Sequence, residues 1–161
     1  MNHVFRVSAR LSRLSLFLAG SCLALLGAIV DYGVIMRYIF NNAPDYVGQV
    51  ALLLVISVAM FGAAAGVHDA GHIGLDSAVK MLPPKARFGC HVAAYALTAV
   101  FSVVLLGGSI EMAMTTLHHT IPTLGISEAS RYLPPIVAGA LMILFSVEHL
   151  LILFTRTPTA P

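Results

Sequence analysis

Histidine is the residue type in this sequence whose number and spacing first suggest chemistry, because the chain contains seven of them. His68 and His72 are four residues apart, a spacing that places both on one face of a helix. His91 and His149 lie in different apolar stretches, and a bis-histidine haem needs histidines at similar depth on different helices. A metal site needs several converging ligands, and the sequence has no HExxH, CxxC or CxxCH motif. We predict no metal or cofactor and keep a haem-binding or redox membrane anchor as the alternative.

Three acidic residues interrupt the apolar stretches, where an ionised carboxylate is costly and is a functional candidate by default. Asp31 precedes Arg37 by about 10 Å along a helix, so we expect it to reach the outer water or to pair with that arginine. Glu148 lies about 12 Å before Arg156. It is either a paired acid near the inner face, or a subunit contact or proton site. Glu111 falls where its apolar stretch ends, which favours a structural role.

The composition is that of a membrane protein. Hydrophobic residues make up 58% of the 161 residues and charged residues 10%, whereas soluble domains carry about 25% charge. The sequence contains no nucleophile elbow, phosphate loop or nucleic-acid-binding surface. We therefore predict neither an enzyme nor a nucleic-acid-binding protein. Cys22 and Cys90 lie in apolar stretches, and we interpret them as packing residues rather than a disulfide.

Four apolar stretches are long enough to cross a bilayer, because a helix of about 20 residues spans its hydrocarbon core. They lie at about residues 14–39, 47–66, 88–112 and 134–154. The sequence therefore predicts an all-α membrane protein, residues 1–161 forming a single membrane domain with four transmembrane helices.

The first stretch also has features of a secretory signal, because three arginines precede it. A lipid-tethered protein cleaved before Cys22 is the corresponding alternative. The apolar character continues to Val30, beyond the roughly 7–15 residues of a signal sequence. We expect an uncleaved first helix, which the intact mass would distinguish from a lipoprotein lacking residues 1–21.

A short amphipathic helix at about residues 73–82 is predicted between the second and third spans, lying in the membrane interface. Its apolar residues recur at the helical spacing i, i+3, i+4 and i+7, and two prolines end it. Asp76 precedes Lys80 by four residues, the favourable order for a helical ion pair. We interpret His72 and Asp76 as a cap and an ion-pair member, with a specific partner contact as the alternative.

Lysine and arginine positions predict the orientation. With the N-terminus inside, only Arg37 and Arg131 lie at the outer face. The inner face then holds Arg6, Arg10, Arg13, Lys80, Lys85, Arg87 and Arg156. This asymmetry predicts that both termini are cytoplasmic, the N-in/C-in arrangement.

Several short motifs occur in a characteristic order. They are Arg37-Tyr38-Ile39-Phe40-Asn41-x-x-Pro44-x-Tyr46, then Phe61-Gly62-Ala63-Ala64, His72-Ile73-x-x-Asp76, Leu82-Pro83, Leu124-Gly125-Ile126 and Tyr132-Leu133-Pro134. By their order and spacing over nearly the whole chain, the sequence resembles the small integral-membrane (Q-type) subunit of tripartite ATP-independent periplasmic (TRAP) transporters. That family often starts the second span with a Trp-Ser-Glu-type segment. This chain has Val47-Gly48-Gln49 there, which weakens the case for a charged contact at Gln49.

The resemblance implies a non-catalytic role in an uptake system of the bacterial inner membrane. Such subunits pair with a much larger multi-span membrane subunit that carries the substrate and sodium sites. A periplasmic solute-binding protein delivers an organic acid or a similar solute to the pair. The small subunit, embedded in membrane lipid, is a scaffold in a secondary, ion-gradient-driven transporter. The candidate partner-contact or structural residues are Arg37, His72, Asp76, Lys80 and Glu148.

A four-span exporter that works alone is a further alternative. It would need a mid-membrane acid on the first span, and Asp31 lies too near the outer end. Solute-binding transporters commonly use internal repeats and interrupted helices. The two halves of this sequence show no repeat, and no Gly-Pro break lies at mid-span. These features favour a subunit over an independent transporter.

Overall fold

The computed structural model describes residues 2–42, 44–69, 84–121 and 125–155. They contain the long helices α1 (Asn2–Tyr38), α2 (Tyr46–Asp69), α3 (Pro84–Thr115) and α4 (Leu133–Thr155). A short 3-10 helix, Glu128–Tyr132, leads directly into α4. All four long helices are apolar enough over a sufficient length to cross a membrane. The predicted all-α architecture with four membrane-length helices is confirmed.

The helices extend beyond the predicted apolar spans. α1 already includes Arg10 and Arg13, and α2 continues through His68 to Asp69. Long basic side chains can keep their charge in water while the helix enters the bilayer, so a helix need not end where its apolar stretch ends. The predicted interfacial helix at residues 73–82 lies outside the described residues.

The four helices pack as a row in the order α1, α2, α4, α3. Extensive contacts between the described helices join α1 to α2, α2 to α4, and α4 to α3. The two pairs that are consecutive in the chain are antiparallel. α2 and α4 run parallel in the middle of the row, because Gln49 contacts Arg131 at one end and His68 contacts His149 at the other.

Small residues make the contacts in the middle of the row. Ala64 of α2 and Ala138 of α4 are fully buried and form a core cluster with Met142. Gly139 lets α3 approach α4 closely, since a Cβ at that position would lie 3.3 Å from the Cβ of Leu106. Helices in lipid associate mainly through such close backbone approach, because lipid is as apolar as the helix faces.

Serine hydroxyls within the packed faces bond to their own helices. Ser57 donates to the carbonyl oxygen of Leu53 at 2.8 Å, and Ser102 donates to that of Thr98 at 2.7 Å. Both serines are buried. A hydroxyl that donates to the carbonyl four residues earlier is hydrogen-bonded within its own helix. These serines can therefore be buried between helices without leaving an unsatisfied polar group.

The two outer helices of the row leave long apolar faces uncovered by the described chain. On α3, Leu97, Val100 and Val104 are each exposed, and on α1 Phe17 is exposed. In a bilayer, lipid or another membrane protein covers such faces.

The described residues between α3 and α4, 116–121 and 125–132, have defined local structure. Thr120 and Ser127 form an isolated antiparallel bridge. Gly125 has a φ of +66°, a conformation that glycine adopts without steric cost. The Ser127 hydroxyl caps the 3-10 helix by accepting from the backbone N–H of Ala129. This local structure holds the 3-10 helix against α3 and brings the Arg131 side chain to Gln49 of α2.

Candidate functional site

The structure describes two of the five residues predicted as contact or structural candidates. Arg37 lies exposed in the last turn of α1, and Glu148 lies half-buried on α4 next to His149. The two are at opposite ends of the helices and do not form one site. The other three, His72, Asp76 and Lys80, lie outside the described residues.

Asp31 is not paired with Arg37 in this structure. Among the residues described, no carboxylate oxygen lies within the 4.0 Å ion-pair distance of the Arg37 guanidinium. Asp31 is exposed on α1. Of the two sequence expectations for this acid, pairing with Arg37 is therefore not observed, because residues six apart lie on different faces of a helix.

A partly buried guanidinium joins α2 to the segment before α4. Arg131 donates through Nη2 to the Oε1 atom of Gln49, in the first turn of α2. Through Nη1 it pairs with Glu128 Oε1 at 3.2 Å. Hydrogen bonds from an ionised donor are stronger than neutral ones. These three residues, here called the Arg131 cluster, couple the middle helices of the row at one end.

The contact at Gln49 corrects a sequence expectation. Loss of the family's acid at this place weakens the case for a charged contact there, yet Gln49 does bond a charged group. An amide oxygen accepts from a guanidinium as a carboxylate does, only without the charge. Because 82 residues separate Gln49 and Arg131, no sequence pattern within one segment could identify this contact. Only their shared position at the same end of two spans could have suggested it.

Aromatic and imidazole rings join α2, α3 and α4 at the opposite end. The Tyr95 ring stacks on His149 with centroids 5.0 Å apart, and the His68 ring meets Phe145 edge-on at 5.1 Å. His149 Nε2 lies 3.2 Å from the carbonyl oxygen of His68, so the tautomer protonated at Nε2 donates this bond. Phe145 is completely buried and His149 nearly so. These four residues form the His149 cluster.

The same rings bear on the haem alternative. His91 stacks on Tyr95 with centroids 6.5 Å apart, and Tyr95 stacks in turn on His149. A bis-histidine haem needs both imidazoles directed at one iron, whereas here each stacks on the same phenol ring. Within residues 2–42, 44–69, 84–121 and 125–155, no three His, Cys, Asp or Glu side chains converge as a metal-binding group. The stacked and edge-on rings pack α2, α3 and α4 against one another at this end.

Comparison with known proteins agrees with this architecture. The family model for the DctQ component of tripartite ATP-independent periplasmic transporters matches residues 26–156. The chain is 23% identical over 131 residues to a protein of Haemophilus influenzae named as a TRAP transporter small permease protein, with 81% of each chain covered.

A second relative comes from Vibrio cholerae and is named C4-dicarboxylate TRAP transporter small permease protein DctQ. Identity to it is 33% over 76 residues, which cover 47% of this chain and 33% of that protein. The family consists of transporter subunits rather than enzymes, and its model extends from within α1 to just after α4. This multi-pass membrane protein therefore belongs to the DctQ-component family, the small membrane subunits of TRAP transporters.

Proposed function

We propose that this chain is a scaffold for a larger, many-span transport subunit in an ion-gradient-driven symporter. A periplasmic solute-binding protein supplies the solute to that pair. The observation that carries the proposal is the single row of helices, whose outer members α1 and α3 keep long apolar faces open along the bilayer. A row of this kind offers lateral surface to a larger membrane partner.

The positions of the acidic residues support the same division of labour. Within the four described helices, Asp31, Glu111 and Glu148 each lie within about two turns of a helix end. Transporters usually bind solute and coupling ion near the bilayer midplane, at interrupted helices. The middle of these helices is apolar, so we place the solute and ion sites on the partner subunit.

Copurification tests the scaffold role directly. A tag on this chain, extracted in mild detergent from its native host, is expected to retrieve a far larger many-span membrane protein. A tagged four-span protein from an unrelated complex, expressed at the same level, is the control. Recovery of the small chain alone, as a monodisperse species that transports solute after reconstitution, would contradict the proposal.

Reconstitution then separates a scaffold from a transporter. Liposomes that contain the large subunit, the small chain and the binding protein are expected to take up solute under an imposed ion gradient. Liposomes lacking the small chain are expected to lose most of this uptake, because the large subunit lacks its lateral support. Full uptake without the small chain would remove the reason for assigning it a scaffold role.

We propose that the solute is an organic acid. The Vibrio cholerae relative is named for a C4-dicarboxylate, which supports this solute class for the complex as a whole. If the small chain is only a scaffold, exchanging it for that relative's subunit should leave the order of preferred solutes unchanged. A changed order would place specificity in the small chain.

We further propose that both termini face the cytoplasm of a bacterial cell. The excess of lysine and arginine on that side of the predicted topology supports this orientation. Single cysteines introduced by Asn42→Cys and Lys80→Cys, in a chain lacking Cys22 and Cys90, should react with an impermeant maleimide from opposite sides. Labelling of both from the same side would overturn the topology.

We also propose that residues 73–82 form an interfacial helix, which braces the complex at the inner membrane surface. Asp76→Ala should lower the yield of intact complex modestly, by the equivalent of about 0.5 kcal/mol for one helical ion pair. Asp45→Ala, which removes an acid from the connection between α1 and α2, is the matched control. A change in which solute is taken up by the Asp76→Ala complex would contradict a bracing role.

A further inference from the structure

Helices α1 and α2 approach each other most closely near Gly33. A Cβ built at this position would lie 2.7 Å from Val47 Cγ1, so only glycine permits the contact. A groove of about 390 Å³ runs beside this contact. We call it the Arg37 groove, and its lining includes Val30, Gly33, Val34, Arg37, Gly48 and Ala51.

The groove has an apolar floor and a charged mouth. From Val30 to Arg37 it follows α1 for about 10 Å, compared with about 15 Å for half the hydrocarbon core. Arg37 and Tyr38 stand in the last turn of α1, where the chain leaves the membrane. Arginine and tyrosine at this position are typical of the headgroup level. The groove therefore extends from the headgroup level into one leaflet.

The charge at the mouth is available to a ligand. Arg37 is exposed, and no ion pair joins it to any acid in the part of the chain that the structure describes. A guanidinium binds phosphate oxygens through two parallel N–H groups. The mouth of the groove thus presents a phosphate-binding group above an apolar channel.

A second groove on the same helix pair serves as an internal comparison. It has a similar volume, about 440 Å³, and is lined by residues that include Leu25, Ile29, Tyr32, Tyr46 and Leu54. Its polar groups are the two tyrosine hydroxyls, which lie 3.4 Å apart and bond each other. None of its lining residues is charged. Size alone does not distinguish the two grooves, whereas the free cation does.

We propose that the Arg37 groove binds one phospholipid. Its phosphate is held by the Arg37 guanidinium, and one acyl chain lies along the floor formed by Val30, Val34 and Ala51. The membrane supplies such a ligand at the depth of the groove, and its charge and shape complement those of the site. This assignment does not depend on the transport role, since it concerns only contacts of the chain itself.

Substitution of glycines on α2 tests lipid binding with little effect on the contacts between the helices. A Cβ at Gly48 would meet no atom within 4 Å, so the Gly48→Leu side chain starts from an open position in the lining of the groove. Gly62 also lies on α2 with open space around its Cβ, but it does not line the groove. Gly62→Leu is therefore the matched control. Arg13→Gln, at the other end of α1, is the control for Arg37→Gln.

Native mass spectrometry of the delipidated full chain in detergent measures the binding. The probes are phosphatidylglycerol, a diacylglycerol with the same acyl chains, and inorganic phosphate. Arg37→Gln should weaken phosphatidylglycerol binding about tenfold, as for loss of a charged hydrogen bond, and leave diacylglycerol binding unchanged. Gly48→Leu should weaken both lipids about tenfold, because overpacking excludes the chain. Phosphate alone should bind weakly.

Three results would overturn the proposal. The first is equal phosphatidylglycerol binding by Arg37→Gln and Arg13→Gln, and the second is equal binding by Gly48→Leu and Gly62→Leu. The third is an efficient disulfide from Val34→Cys to a copurifying protein in the intact complex, because the groove would then be a protein interface. A folded variant is verified by an unchanged helical circular-dichroism spectrum before its binding is compared.

Discussion

The two ends of the α2–α4 contact are held together by different chemistry. At one end, the Arg131 cluster uses a cation, an amide and a carboxylate. At the other end, the His149 cluster uses stacked and edge-on rings with a single imidazole bond to the backbone. Both ends perform the same task, which is to join the α1–α2 pair to the α3–α4 pair.

The difference lies in how deeply the groups at the centre of each cluster are buried. The Arg131 side chain is 19% exposed and that of Glu128 is 38% exposed, so their charges keep part of their hydration. Phe145 is completely buried, and an ion pair in such a place would incur a large desolvation penalty. Rings supply contact area without that penalty. Charge therefore secures the row at the partly exposed Arg131 cluster, and ring packing secures it around the buried Phe145 and His149.

The largest effect is expected from Phe145→Ala. Removing a fully buried phenyl ring leaves a cavity and deprives His68 of its edge-on contact, which should cost about 3 kcal/mol. Unfolding by SDS in mixed micelles measures the change in free energy. Leu144→Ala, on an exposed face of the same helix, is the control. Equal losses for the two variants would show that the ring cluster contributes no special stability.

Arg131→Gln should have the next largest effect, about 2 kcal/mol for the loss of charged hydrogen bonds to Gln49 and Glu128. The same SDS titration measures it. Arg131→Lys retains the charge but not the planar fork of donors, and we expect an intermediate loss. Wild-type stability of Arg131→Gln would mean that the Arg131 cluster does not help to hold α2 and α4 together.

His149→Phe separates stacking from hydrogen bonding at the ring end. The phenyl ring can still stack on Tyr95, but the bond from Nε2 to the His68 carbonyl is lost. We expect a loss of about 1 kcal/mol, measured as above. His149→Ala, which removes both interactions, should cost more. Equal stability of His149→Phe and His149→Ala would show that stacking on Tyr95 does not contribute to the free energy of unfolding.

Gln49→Glu should have the smallest effect, and in the opposite direction. A carboxylate in place of the amide would complete an ion pair with Arg131, which should add about 0.5 kcal/mol for a partly exposed pair. Because mobile ions screen such pairs, the gain should shrink when unfolding is repeated at higher salt. Gln49→Ala is the control for the lost bond. A destabilised Gln49→Glu protein would show that the contact depends on a neutral acceptor.

The candidate site was only partly accessible to sequence reasoning. The sequence singled out His91 and His149 as residues at similar depth on different helices, and ring contacts through Tyr95 do connect them. It did not identify Tyr95 as the residue between them, because aromatic residues in apolar spans show no distinguishing local pattern. Arg37 was correctly placed at the end of a span, but its lack of an acidic partner emerged only from the geometry.

The number and apolar character of the four membrane-length helices were readable from the chain itself, because a membrane span depends on a local run of apolar side chains. The ordered motifs likewise sufficed to predict the TRAP small-subunit family, which the match over residues 26–156 confirms. The lateral order α1, α2, α4, α3 was not readable. It depends on contacts such as Gln49–Arg131 and His68–His149, whose partners are 82 and 81 residues apart. Such contacts form only when helix faces meet in three dimensions, and no periodicity along one segment records which face meets which.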